Sequence, residues 1–343
     1  MIKTTLIWLC SLTLYTNLQA QELRGYKVSD KIKVDGEGGW DYLTVDEKND
    51  RLFVSHATQV QVIDLKSKKV IGVIPDTKGV HGIALAEDLN KGFISNGKDT
   101  SVTIFDLKSL KVIGKVKVTG VNPDAILYDP FSKKVFVYNG RTANATVIDA
   151  KTDKVVETIP LQGKPEFSVT DGKGKVYVNI EDKNLLTVIN ATTLKVEKSW
   201  PLAPGDEPTG LAFNAEGKLL YAVCGNKLMM VINSENGQVY GKMEIGDGCD
   251  GVAFDPTSNI AFASNGEGTL TAVLAKNGNH IEVLGNLTTQ KGARTIAVNT
   301  VTHKIYIPAA EYEPATEPQK EGQRQRPKIK PGSFVILEIT PVP

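Results

Sequence analysis

The chain predicts an all-β fold, a seven-bladed β-propeller closed by an N-terminal strand that completes the last blade. Three observations carry this. A stretch of about forty residues recurs seven times along the 343 residues. Each copy holds short apolar runs of strand length, separated by Gly, Asn, Asp and Pro. The last copy lacks its fourth run, and a spare one stands at the other end of the chain.

The first run of each copy reads "YLTVD", "GIALA", "AILYD", "FSVTD", "GLAFN", "GVAFD" and "TIAVN". Their second residues, Leu43, Ile83, Ile126, Ser168, Leu211, Val252 and Ile296, are spaced by 40, 43, 42, 43, 41 and 44. A second run follows ("RLFVS", "KGFIS", "KVFVY", "KVYVN", "LLYAV", "IAFAS", "KIYIP"), then a third ("VQVIDL", "SVTIFDL", "ATVIDA", "LTVIN", "MMVIN", "LTAVL", "SFVILEI"). The fourth runs, such as "KVIGKVKV" and "KVVETIPL", close the first six copies. Runs of four to eight residues rich in β-branched and aromatic types are strands, and four per forty-odd residues is the period of a propeller blade. The fourth strand missing from copy seven is "YKVSDKIKV", residues 26–34, which mirrors "LKVIGKVKV" of the second copy. Pairing it with the C-terminal segment leaves no open sheet edge between the first and last blades.

The second strands "FVSH", "FISN", "FVYN", "YVNI", "YAVC", "FASN" and "YIPA", with the "VID…T…KVV" hairpin after them, resemble the Y-V-T-N string of the YVTN-repeat, YncE-like propellers. The resemblance covers essentially the whole chain after residue 20. It implies an exported seven-bladed propeller, with DNA binding proposed for some members. The Trp-docking pattern of eight-bladed quinoprotein enzymes and a CxxCH haem site are both missing from the sequence.

Residues 1–20 read as an export signal: Lys3, the apolar "LIWLCSLTLY", and a small residue, Ala20, before the expected cleavage. The apolar stretch is short for a membrane span. Cys10 follows Trp8 and Leu9, not the small residues that precede a lipidated cysteine. The expectation is a periplasmic or secreted protein, residues 21–343 forming a single propeller and a monomer. Removing Lys3 with this segment takes 40 basic residues to 39, against 39 acidic, a net charge of zero. Such a chain has no global attraction for nucleic acid or anionic membranes. Residues 313–332, "EPATEPQKEGQRQRPKIKPG", interrupt the last blade and read as a disordered insertion. Lys320, Arg324, Arg326, Lys328 and Lys330 within it could grip phosphate or sulfate.

In a propeller, the loops entering the first strand and those joining the second to the third share one face. In register before each first strand stand Asp41, His81, Asp124, Glu166, Thr209, Asp250 and Arg294, a polar ring at the mouth of the central channel. The loops between second and third strands add His56, Asn96, Asn139, Arg141, Glu181 and Asn265, and Trp40 stands beside Asp41 for stacking. These are the candidate ligand-binding residues, the asparagines being expected in left-handed turns. On the opposite face Asp64, Asp106, Asp149, Asn190 and Asn233 are expected to cap turns. His81, Asp124 and Glu166, from successive blades, form a candidate divalent-metal set; no other cofactor is expected. Cys224 and Cys249, in adjacent blades, are a candidate disulfide.

The function this favours is a binding protein with no catalytic residues, taking a small molecule, metal chelate, peptide or partner protein over the mouth. A metal-assisted hydrolase or lactonase is the alternative. Nucleic-acid binding is a third reading, disfavoured by the neutral charge.

Overall fold

A computed structural model describes residues 21–278, 280–314 and 328–342. The described residues form seven four-stranded antiparallel sheets. Six are consecutive in sequence, from innermost to outermost strand: for the second blade Val80–Ala86, Lys91–Asn96, Ser101–Asp106 and Val112–Lys117. The seventh runs Ala297–Asn299, Lys304–Ala309, Val335–Pro341 and then Tyr26–Lys33. That N-terminal strand pairs antiparallel with the C-terminal one, from Tyr26 opposite Pro341 to Lys33 opposite Val335. The ring therefore closes as expected, with Ile32 and Val34 buried in the seam between first and last blades.

The second and third strands of each blade are buried on both faces, as "LFVSH" and "VQVID" of the first blade show. Their side chains pack blade against blade. Phe53 and Phe105, for example, meet across the first two blades with ring centroids 5.6 Å apart. The fourth strands alternate exposed and covered residues, as outer strands with one solvated face do.

The turns between third and fourth strands are capped as expected. Asp64, Asp106, Asp149, Asn190 and Asn233 each accept a hydrogen bond from the backbone N–H three residues on, at 2.6–3.1 Å. Residues 1–20, expected to be an export signal, lie outside the described residues, as do Lys320, Arg324 and Arg326. Lys328 and Lys330, at the base of the insertion, pair with Glu313 and Glu311 at 2.8 Å each.

One irregularity recurs and matters for function. In six blades the register between first and second strands shifts near the start of the first strand, between Trp40 and Leu43, Val80 and Ile83, Pro123 and Ile126, Pro165 and Ser168, Pro208 and Leu211, and Cys249 and Gly251. The ring residues Asp41, His81, Asp124, Glu166, Thr209 and Asp250 sit inside these shifts. A bulge takes a residue out of the ladder and re-aims its side chain. Here the same device is repeated around one opening.

Candidate functional site

A belt of hydrogen bonds fixes the backbone of the mouth. Ser55 accepts from the Asp41 N–H at 3.1 Å and donates to the Tyr42 carbonyl at 3.0 Å. Ser95 accepts from the Gly82 N–H at 2.8 Å and donates to the Asp124 carbonyl of the next blade. Asn179 donates to the Thr209 carbonyl, Thr209 to the Cys249 carbonyl, Ser264 to the Ala293 carbonyl and Thr295 to the Asp41 carbonyl, at 2.7–3.3 Å. Buried polar side chains are thus spent on orienting the bulges, and each bond that crosses a blade boundary resists opening of the ring.

On this frame acids and bases alternate. Arg294 Nε lies 2.8 Å from Asp250, and its Nη2 lies 3.4 Å from Asp41. His81 Nδ1 lies 2.6 Å from Asp41 Oδ2 and 3.5 Å from Asp124 Oδ1. Lys164, two residues before the ring position of its blade, bridges Glu166 at 2.6 Å and Glu181. The side chains of Asp41 and Asp124 are each 16% exposed and that of His81 28%, so the group is partly desolvated yet open to a ligand.

The carboxyls outnumber their cations, and the titration of the site reflects it. Burial, then the charges of Asp41 and Asp250, push Asp124 up to about 6 against the pull of His81. Burial and Asp124 raise Glu166 in spite of Lys164. Burial raises Asp250 too, with Asp41 adding to it and Arg294 opposing. For His81 burial favours the neutral ring, but the Asp41 hydrogen bond and the fields of Asp124, Asp41 and Glu166 outweigh it, and its pKa is raised.

Two participants escaped the sequence reading. Lys164 lies just outside the aligned position. Tyr42, next to Asp41, places its phenol where burial and then Asp124, Asp41, Glu166 and Asp250 all raise its pKa. Its ring meets Phe167 of the fourth blade, on the far side of the channel, with centroids 5.3 Å apart. The two rings form a floor under the mouth. The signal was present in the sequence: an aromatic residue stands at this level in blades one and four, whereas blades two, five and six carry Gly82, Gly210 and Gly251.

Several expected ligand-binding residues belong elsewhere. Trp40 is 7% exposed and packs on Phe334, centroids 5.2 Å apart, leaving its carbonyl to meet Arg294. His56 is 1% exposed and stacks on Phe334 at 4.2 Å. It donates from Nδ1 to Gln61 Oε1 at 2.8 Å, and burial lowers its pKa, so it is a neutral core imidazole. Asn96, Asn139 and Asn265 are buried ends of second strands, not left-handed turn residues. They donate across the blade to Ser101 and Thr103, Asn144 and Thr146, and Thr269 and Thr271. Arg141 is exposed on its turn, outside the ion pairs of the ring. Glu166, expected with His81 and Asp124 as a metal set, is taken by Lys164; Asp41 stands in its place, and the ligand atoms of Asp41, His81 and Asp124 all lie within 4.8 Å of one another. Cys224 and Cys249 are free thiols, not a disulfide. Each sulfur faces a carbonyl of its own strand, Ala222 at 3.7 Å and Gly251 at 3.5 Å.

Comparison with known protein families finds no match, and neither does comparison with curated proteins. Among solved structures, a chain of Kuenenia stuttgartiensis hydrazine synthase superposes with a TM-score of 0.67 at 17% identity, covering 80% of this chain and 94% of that one. At that identity the likeness carries the fold and nothing about the reaction.

Proposed function

We propose that the protein is an exported binding protein of the YVTN-repeat kind, which takes its ligand at the polar mouth and anchors it through a divalent metal ion on Asp41, His81 and Asp124. One observation carries the reading: an imidazole nitrogen and two carboxylates from three successive blades converge within 4.8 Å, partly open to solvent. Imidazole with carboxylate suits a first-row divalent ion. Donors bound at about 2.1 Å stand roughly 3.0–3.4 Å apart. The 3.5 Å between His81 and Asp124 already meets that, and the 2.6 Å contact with Asp41 needs a small opening. A cation would also relieve the mutual repulsion of Asp41, Asp124 and Asp250. Three protein donors leave coordination positions for a chelating ligand, with Arg294 beside them for an acidic group on it. The same open positions, taken by water, are what favour metal-assisted hydrolysis as a second reading. An acidic mouth repels phosphate and argues against DNA as the ligand.

Titration calorimetry of chelator-treated protein with zinc chloride tests this. The expected result is one equivalent bound with release of protons, because His81 and Asp124 must give theirs up, and loss of binding in His81→Gln and in Asp124→Asn. Absence of heat and of any thermal shift at millimolar zinc would sink the metal anchor.

A further inference from the structure

The mouth is one end of the channel. On the other side of the Tyr42–Phe167 floor lies a cavity of about 540 Å³, walled by the innermost strands of six blades. Its volume falls within the roughly 300–1,000 Å³ of small-molecule sites. Phe167, Phe213 and Phe254 supply aromatic surface, with Val45, Leu85 and Val169 between them. All six are half-buried: Phe213 stacks on Tyr177 and Phe254 on Tyr221 of the preceding blade, and each side chain keeps part of its apolar surface for the cavity. Three of the hydroxyls in the wall are already committed as donors: Thr44 to the Ile83 carbonyl at 2.8 Å, Tyr128 to Asp88 at 2.8 Å and Thr170 to Asp129 at 2.6 Å. A guest entering deeply must therefore be apolar, since its polar groups would lose water without finding these partners. At the rim the charge is negative. Glu87 lines the opening, and Asp46 and Glu47 add their fields there, partly offset by Lys48 and Arg51.

We propose that this cavity is a second binding site, for a hydrophobic primary amine whose aryl or alkyl body lies among Phe167, Phe213 and Phe254 while its ammonium meets Glu87. Body and head address separate features, so the selectivity is two-fold: size and apolarity set by the walls, sign of charge by the rim. The site is independent of the metal anchor, because the aromatic floor lies between them.

The test is fluorescence titration of the purified protein with 2-naphthylmethylamine, and with 2-naphthylacetate as the anionic counterpart. The expected result is saturable binding of one equivalent of the amine, about tenfold or more tighter than the acetate. Glu87→Gln, an exposed substitution, should erase that preference while leaving the fold intact. Val45→Trp should abolish binding by filling the cavity; Leu85→Phe provides a milder filling variant should the tryptophan perturb folding, and circular dichroism checks both. His81→Gln should change nothing, which separates this site from the mouth. Three results would overturn the proposal: no saturable binding of the amine, equal binding of the acetate, or binding unaffected by both filling variants.

Discussion

His81 keeps its place through a residue that has no side chain. A Cβ on Gly97 would stand 2.7 Å from His81 Nε2 and 2.8 Å from its Cδ2, so that edge of the imidazole lies against the bare backbone of the neighbouring loop. Gly97 does not use the left-handed region that demands glycine, and alanine there adds no backbone strain. Gly97→Ala should therefore tilt the ring away from Asp41 without unfolding the blade. The expectation is a fall of His81's raised pKa toward the ordinary value, seen by NMR titration, and about tenfold weaker zinc binding, with the thermal midpoint nearly unchanged. An unaltered His81 titration would show that the ring is held by something other than this contact. His81 also marks how far the sequence could be read at this scale. The forty-residue repeat aligned it with Asp41, Asp124, Glu166, Asp250 and Arg294 because every blade starts its first strand alike. The same repeat misplaced Asn96, Asn139, Asn265 and His56, because a polar residue ending a second strand can face either the loop or the blade interior. That choice is made by its cross-strand partners, Thr103, Thr146, Thr271 and Gln61, and pattern alone does not reveal it.

At the scale of elements, the strands were legible and the bulges were not. Short apolar runs and turn residues marked the innermost strands within a residue or two, but the register shift at each ring residue is a pairing between strands. It hid Lys164 and Tyr42, which stand off the aligned column. The closing strand was the most consequential element to read, since Tyr26–Lys33 is what turns seven sheets into a ring. Its hold is through Ile32 and Val34, buried against Trp40, Leu52 and Ile336, while Lys31 and Lys33 face solvent. Ile32→Ala should cost about 2–4 kcal/mol in urea unfolding, whereas Lys33→Ala should stay within about 0.5 kcal/mol. Removing residues 21–34 should expose Val335–Pro341 as an unpaired edge and produce concentration-dependent association on gel filtration. A stable monomeric truncation would mean that the ring does not depend on this seam.

For the molecule as a whole, the mouth sets a pH dependence opposite to that of its turns. In the turns Asp149 is lowered to about 2, by the Lys134 hydrogen bond first and the Thr152 bonds among the rest, and Asp106 is lowered by its bonds from Ser109. Such groups hold fewer protons when folded, so their stabilisation is lost on acidification and is complete above about pH 5. In the mouth Asp124, Glu166, Asp250 and His81 are all raised, and the folded protein holds more protons there than the unfolded chain does. Their contribution is present at low pH and lost as pH climbs, from about 4 to 6 for Asp124 and above 6.5 for His81. The two sets together place maximal stability at about pH 4–5, with a decline toward roughly pH 8. Asp124→Asn should flatten that decline and stabilise the protein by about 1–2 kcal/mol at pH 8, a share of the raised carboxyl's free energy discounted for its partial exposure. Zinc should do the same for the native protein, since an ion bound to the folded state takes the place of the missing protons. Denaturant unfolding at pH 5.5 and pH 8, with and without zinc, reads all of these. A native protein more stable at pH 8 than at pH 5.5, or an Asp124→Asn variant with an undiminished slope, would show that the crowded carboxyls are compensated inside the fold. They would then hold no free energy in reserve for a cation.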